Sequence, residues 1–190
     1  LSQQSIIELA LELDKLKSVY RKSIITSGER YENSAEHSWH LAMTIMGFAN
    51  YLPPEVNINR CVQIALCHDL CEVGAGDVCL YHDQTGKHER ELDYMNAFMA
   101  RFPSFGSQAK DCWQEYEDQQ TLESQWVSVF DRLLPFTLNI ATEGRTWREQ
   151  KITPDMVRNK HAFIADIAPE LHQWMLGELE TAVANGWFEQ

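Results

Sequence analysis

Apolar residues Ile6, Leu9, Ala10, Leu13 and Leu16 recur at intervals of three and four, the spacing of one helix face. The segment "GERYENSAEHSWHLAMTIMGFANYL" predicts a second helix, with Asn33 at the N-cap, Glu36 completing a capping box and His37 in its first or second turn. A third is predicted over "INRCVQIALCHDLCEV", carrying Val62, Ala65 and Leu66 inward until the Gly-Ala-Gly at 74–76 stops it, with Asp77 just beyond. Leu92, Met95, Phe98 and Met99 mark a fourth ending near Pro103, and the acidic stretch "DCWQEYEDQ" a fifth. The sixth carries Trp126, Val127, Phe130, Leu133 and Leu134 as far as Pro135, which is expected to kink or end it. Thr153, Pro154 and Asp155 start a seventh, and Pro169 separates that from an eighth running towards Gly186. No stretch alternates with period two between turns. The expected fold class is therefore all-α, with seven or eight helices in one domain over residues 1–190 and no repeats or low-complexity segments.

Composition narrows the function classes. A chain of 190 residues suits one core that buries about 70% of the surface exposed by the unfolded chain. Apolar residues at 44% and charged ones at 23% describe a globular protein. Twenty-eight acidic against sixteen basic residues give a formal charge of -12, a field that repels long nucleic acids and anionic bilayers. A small anion can still bind where a metal or an arginine reverses the local sign. Cys61, Cys67, Cys71, Cys79 and Cys112 form no Cys-x-x-Cys pair, and their odd number suits a reducing compartment. Acidic residues stand near the start of the chain where a signal peptide has a positive region, and no apolar run approaches the ~18 residues of a membrane span. A cytoplasmic location is expected.

His68 and Asp69 follow the apolar run "VQIALC", where a helix should be entering the core. Burying an ionised carboxylate is costly unless it is paired or binds a metal. Asp131 poses the same problem between "WVSVF" and "LLPF", and His37 begins a helix that could face the same groove. Any one such residue is more often a hydrogen-bonded core group than a ligand. Two imidazoles and two carboxylates together suit one divalent ion, Mn, Fe, Co, Ni or Zn, with positions left open for water and substrate. His40, three residues after His37, is a candidate for a supporting or packing role, and Arg30 or Lys22 for additional phosphate charge. Cys67, Cys71 and Cys79 read as packing thiols, and Lys87, His88 and Glu89 could border the pocket from the following helix, with surface the stronger reading. Trp113 and Tyr116 read as core or a subunit contact, and Glu115, Glu117 and Asp118 as facing solvent.

The segments "KLKSVYR", "ENSAEHSWHLA", "ALCHDLCEVGAGD", "WQEYE" and "VFDRLLP" resemble the HD-domain metal-dependent phosphohydrolases. The resemblance is to a compact branch that includes bacterial 5'-deoxynucleotidases and human HD-domain-containing protein 2. It covers roughly residues 12–135 and extends more weakly into the last helices, with the core motifs in 21–131. It implies a compact HD-domain helical bundle in which His37, His68, Asp69 and Asp131 hold the ion. It also places Glu72 and Asp77 as the acidic pair that positions water and substrate, and Arg21 as the phosphate clamp. In one departure, Lys22 and Ser23 follow the arginine where the deoxynucleotidases carry a Trp-Pro segment near the deoxyribose.

The expected activity is divalent-metal-dependent hydrolysis of a phosphate monoester, a nucleoside 5'-monophosphate, to nucleoside and phosphate. The metal is Mn, Co, Ni, Fe, Zn or Mg. A planar guanidinium at Arg21 suits paired bonds to phosphate oxygens, and Glu72 could orient or deprotonate the water. Hydrolysis of a nucleotide triphosphate or another small phosphate ester is the alternative reaction, and a non-catalytic metal- and nucleotide-binding regulator the alternative class. Resemblance also implies a homodimer.

Overall fold

In a computed structural model of the protein, which describes residues 2–189, the chain is helical apart from one hairpin. The elements are α1 (Gln3–Asp14) with a 3-10 turn (Lys15–Ser18), β1 (Tyr20–Ile24), β2 (Tyr31–Asn33), α2 (Ser34–Gly47) and α3 (Ile58–Cys67). There follow α4 (Glu72–Ala75), α5 (Lys87–Arg101), α6 (Pro103–Asp118), α7 (Leu122–Ala141), α8 (Arg145–Glu149), α9 (Pro154–His161), α10 (Ile164–Ile167) and α11 (Pro169–Ala184). All eight expected helices are present. The additional α4, α8 and α10 have four or five residues each, too few to show a helical period.

Local chemistry sets several boundaries. Asn33 and Glu36 form the expected reciprocal box, with Asn33 Oδ1 accepting from Glu36 N at 2.9 Å and Glu36 Oε2 from Asn33 N at 3.4 Å. Pro154 and Pro169 open α9 and α11, and Thr153 caps the former through Met156 N. Pro135, by contrast, does not end its helix: α7 runs on to Ala141. The strands were also unforeseen. Tyr20–Ile24 contains Arg21, Lys22 and Ser23, and β2 has only three residues, so neither presents an alternating apolar face. In α3 the buried face is Cys61, Ile64, Ala65 and Cys67, while Leu66 is exposed, contrary to its expected inward placement.

The chain divides into two compact units. The first contains the residues up to Arg21 together with Asn33–Ser128. Here α2 packs on α3, α3 on α6 and α5 on both α4 and α6, around Leu41, Ile45, Ile64, Met95 and Trp113. Two close approaches depend on glycine. A Cβ on Gly106 would lie 2.6 Å from Met99 Cα, and one on Gly74 would lie 2.5 Å from Tyr94 Cδ2. Glu12 on α1 is buried, receiving hydrogen bonds from Lys15 Nζ at 2.8 Å, Tyr94 Oη at 3.1 Å and Arg101 Nη1 at 2.7 Å.

The second unit contains Lys22–Glu32 and the chain from Val129. In it α11 packs on α9 and α10, and Trp147 stacks on Phe188 with centroids 4.6 Å apart. Buried Asn139 accepts through Oδ1 from Thr146 Oγ1 at 2.9 Å and from Trp147 N at 3.2 Å, satisfying a polar group inside the core.

Candidate metal centre

The capping box locks the start of α2, and His37 follows it in the first turn, fully buried. His68 is the C-cap of α3, where the helical bonding pattern changes. His68 N still bonds to Ile64 O, four residues back, but Leu70 N bonds to Cys67 O at 3.1 Å and Glu72 N to Asp69 O at 3.0 Å. The predicted continuous helix therefore breaks at the His-Asp pair, and the tightened turn directs both side chains to one place.

One ligand atom from each of His37, His68 and Asp69 lies within 4.8 Å of the others. His68 Nε2 is 3.2 Å from Asp69 Oδ1, and His37 Nε2 is 4.0 Å from Asp69 Oδ2. Ligand atoms held ~2.1 Å from one ion are ~3–4 Å apart, so these separations fit a shared divalent cation. The tautomer fits as well: His68 Nδ1 donates to Ala65 O at 2.9 Å, which leaves Nε2 with its lone pair towards Asp69. The buried His/His/Asp cluster is consistent with a single divalent-metal site. Among the described residues the cluster includes no cysteine.

Arg21, on β1, connects this cluster to the acidic residues beyond it. Its Nη1 donates to Asp69 Oδ2 at 2.9 Å and lies 3.8 Å from Asp77 Oδ1, with only 12% of the side chain exposed. Glu72 opens α4 and is buried. Burial pushes its carboxyl up to about 8, with Asp69 and Asp77 adding to the rise while Arg21 and a hydrogen bond from Ser34 oppose it. Burial also raises Asp77, against the pull of Arg21. Ser34 Oγ donates to Glu72 Oε2 at 2.6 Å, with both residues buried. Nothing in the sequence singled out Ser34, since a serine at a helix start is ordinary.

Lys87 is half-buried, against the stronger of its two readings, surface. It is the first residue of α5, its side chain is 30% exposed, and its Nζ lies 3.4 Å from Glu91 Oε1. His88 and Glu89 are exposed as expected. His40 is half-buried and outside the convergent cluster, and Arg30 is exposed in the second unit, donating to Tyr31 O at 3.0 Å. Tyr116 packs its ring 4.8 Å from that of His68, and Trp113 is buried core. Glu115 is not simply solvated, because Arg60 Nη2 pairs with it at 2.6 Å. Asp131 lies on α7 in the second unit, 4% exposed, with Arg132 Nη1 donating to its Oδ2 at 2.9 Å.

The model of the HD domain family matches residues 13–172. This chain belongs to the HD domain family. Its fold is similar to that of a predicted metal-dependent phosphohydrolase from Magnetospirillum magnetotacticum MS-1, with a TM-score of 0.91 and 31% identity over 98% of this chain and 95% of that one. A conserved hypothetical protein from Pyrococcus furiosus shares the fold, with a TM-score of 0.59 and 23% identity over 94% of this HD-domain chain and 99% of that chain. Human 5'-deoxynucleotidase HDDC2 is 26% identical over 133 residues, covering 68% of this chain and 64% of that protein. The match thus spans slightly less than two thirds of that relative's length.

Proposed function

We propose that this HD-domain chain is a divalent-metal-dependent phosphohydrolase acting on small nucleotide-like phosphate esters. Its specific reaction is cleavage of a nucleoside 5'-monophosphate by water to nucleoside and inorganic phosphate. The observation that carries the reading is the buried His37, His68 and Asp69 cluster with Arg21 bridging Asp69 and Asp77. The reading is supported by the names of the similar proteins, a metal-dependent phosphohydrolase and a 5'-deoxynucleotidase.

His37, His68 and Asp69 would hold the ion, and we propose Asp131 as a fourth donor on the strength of the H...HD...D sequence pattern. A divalent ion there supplies Lewis acidity, offsetting charge on the phosphoryl oxygens and making water more acidic. Arg21 donates from its guanidinium to phosphate oxygens, and Asp69 and Asp77 hold that fork in place. Glu72, oriented at Oε2 by Ser34, receives the proton of the attacking water, and Asp77 organises the substrate end of the site. His40 and Arg30 are proposed supporting residues, outside the proton path.

Product-resolved assays test this directly. Metal-stripped protein refilled separately with Mn, Co, Ni, Zn, Fe or Mg is given ribo- and deoxyribonucleoside mono- and triphosphates. Metal-dependent orthophosphate release from monophosphates, lost in Asp69→Ala, is expected. Release of pyrophosphate or triphosphate would replace this reading with the triphosphate one, and absence of any product with metal bound would sink it. Because Lys22 and Ser23 stand beside Arg21, the ribo-to-deoxyribo ratio is the informative part of the panel. Among the described residues no helix is long and apolar enough to cross a membrane. A cytoplasmic homodimer is proposed from resemblance and composition, with sedimentation velocity and cell fractionation as its tests.

A further inference from the structure

Lys87 opens α5, which packs on α4, the short helix that Glu72 opens. From there its ammonium acts electrostatically on Glu91, Asp69, Glu72 and Asp77. Burial opposes its charge, but these carboxylates outweigh burial and raise its pKa, so the ammonium persists through neutral pH. An ammonium has three N–H donors, and the Glu91 pair occupies one direction. With 30% of the side chain exposed, the group can reach an incoming anion without leaving a buried position empty.

The local charge balance makes this consequential. Asp69, Glu72, Asp77 and Glu91 bring four carboxyl groups to the region, against the two cations Arg21 and Lys87. Burial raises Glu72, Asp77 and Glu91, and the two cations are what favours their ionised forms. Deleting Lys87 would remove one of these two cations from the region where a phosphate dianion must bind. Arg21 is already engaged by Asp69 and Asp77, so much of its charge is neutralised before substrate arrives.

We propose that Lys87 is a second phosphate-binding cation of this site, contacting the substrate phosphate alongside Arg21. This rests on the phosphohydrolase reading and adds to it the residue that makes the site selective for a dianion. A lysine serving only as a structural partner for Glu91 would predict no specific effect on phosphate affinity.

The test uses inorganic phosphate as probe, by titration calorimetry on metal-loaded protein, with KM and kcat measured in parallel. Lys87→Met is expected to weaken phosphate binding by roughly ten- to hundredfold, the range of a lost hydrogen bond to a charged group. The loss should fall on KM more than on kcat, with Lys87→Arg recovering most of it. Glu91→Gln releases Lys87 from its partner and should leave phosphate binding at least as tight as in the wild type. Unchanged phosphate affinity in Lys87→Met would overturn the assignment, as would a wild type that binds no phosphate. Should Lys87→Met not fold, Glu91→Gln decides, since weaker phosphate binding in that variant contradicts the proposal. A wild type that binds phosphate but cleaves no ester would remove the hydrolase reading while leaving the Lys87 comparison intact.

Discussion

Ser34→Ala deletes a hydroxyl that donates to Glu72 Oε2 at 2.6 Å. Ser34 is fully buried and Glu72 is 3% exposed, so water is poorly placed to replace the bond. A hydrogen bond to a charged group contributes about 1.5–3 kcal/mol, and each ~1.4 kcal/mol is tenfold in rate. If Glu72 acts as the oriented proton acceptor, kcat/KM should fall roughly ten- to 150-fold at saturating metal. Folding stability should fall less, by under ~1.5 kcal/mol, because the carboxyl can take up a proton instead of remaining an unpaired anion. For a chain of this length that is at most roughly 6 °C in Tm. Steady-state kinetics and calorimetric melting on the same preparations provide both numbers. Turnover within twofold of wild type, while Glu72→Gln abolishes it, would refute the orienting role of Ser34.

Metal binding should stabilise the native protein by about 2.7 kcal/mol at a hundredfold excess over Kd, seen as roughly a 5–10 °C rise in Tm. Asp69→Asn should lose most of that rise, and a full metal-induced shift in the variant would exclude Asp69 as a ligand. Tyr94→Phe removes a donor to buried Glu12 and should cost about 1.5 kcal/mol in urea unfolding. Arg101→Ala, at a half-exposed position, should cost under ~1 kcal/mol, and the reverse order would contradict the local accounting. His161 has a lowered pKa, chiefly from burial and against the pull of Val157 O and Arg132 O, the carbonyls beside its two ring nitrogens, so the unfolded chain binds the proton first. Its contribution is constant above the unfolded value of ~6.5 and is lost as pH falls from there towards the folded value. Unfolding free energies at pH 7.5 and 5.5 should show a smaller drop in His161→Gln, and an unchanged drop would refute this.

The eight long helices were legible because apolar spacing, Asn33 with Glu36, and Pro154 and Pro169 are local signals, carried by neighbours in the chain. The residue types for a metal site were legible too, since a His-Asp pair after an apolar run and a histidine after a capping box are conspicuous. The convergence of His37, His68 and Asp69 was decided by tertiary packing, because ligand separation depends on how α2 meets α3 and on the tightened turn after His68. The same physics hid Ser34, since a hydroxyl at a helix start looks solvated in sequence, and it made surface the stronger reading for Lys87. Ser34 is set apart by its proximity in space to Glu72, and Lys87 by its electrostatic reach to the carboxylate cluster, neither of which a local pattern encodes.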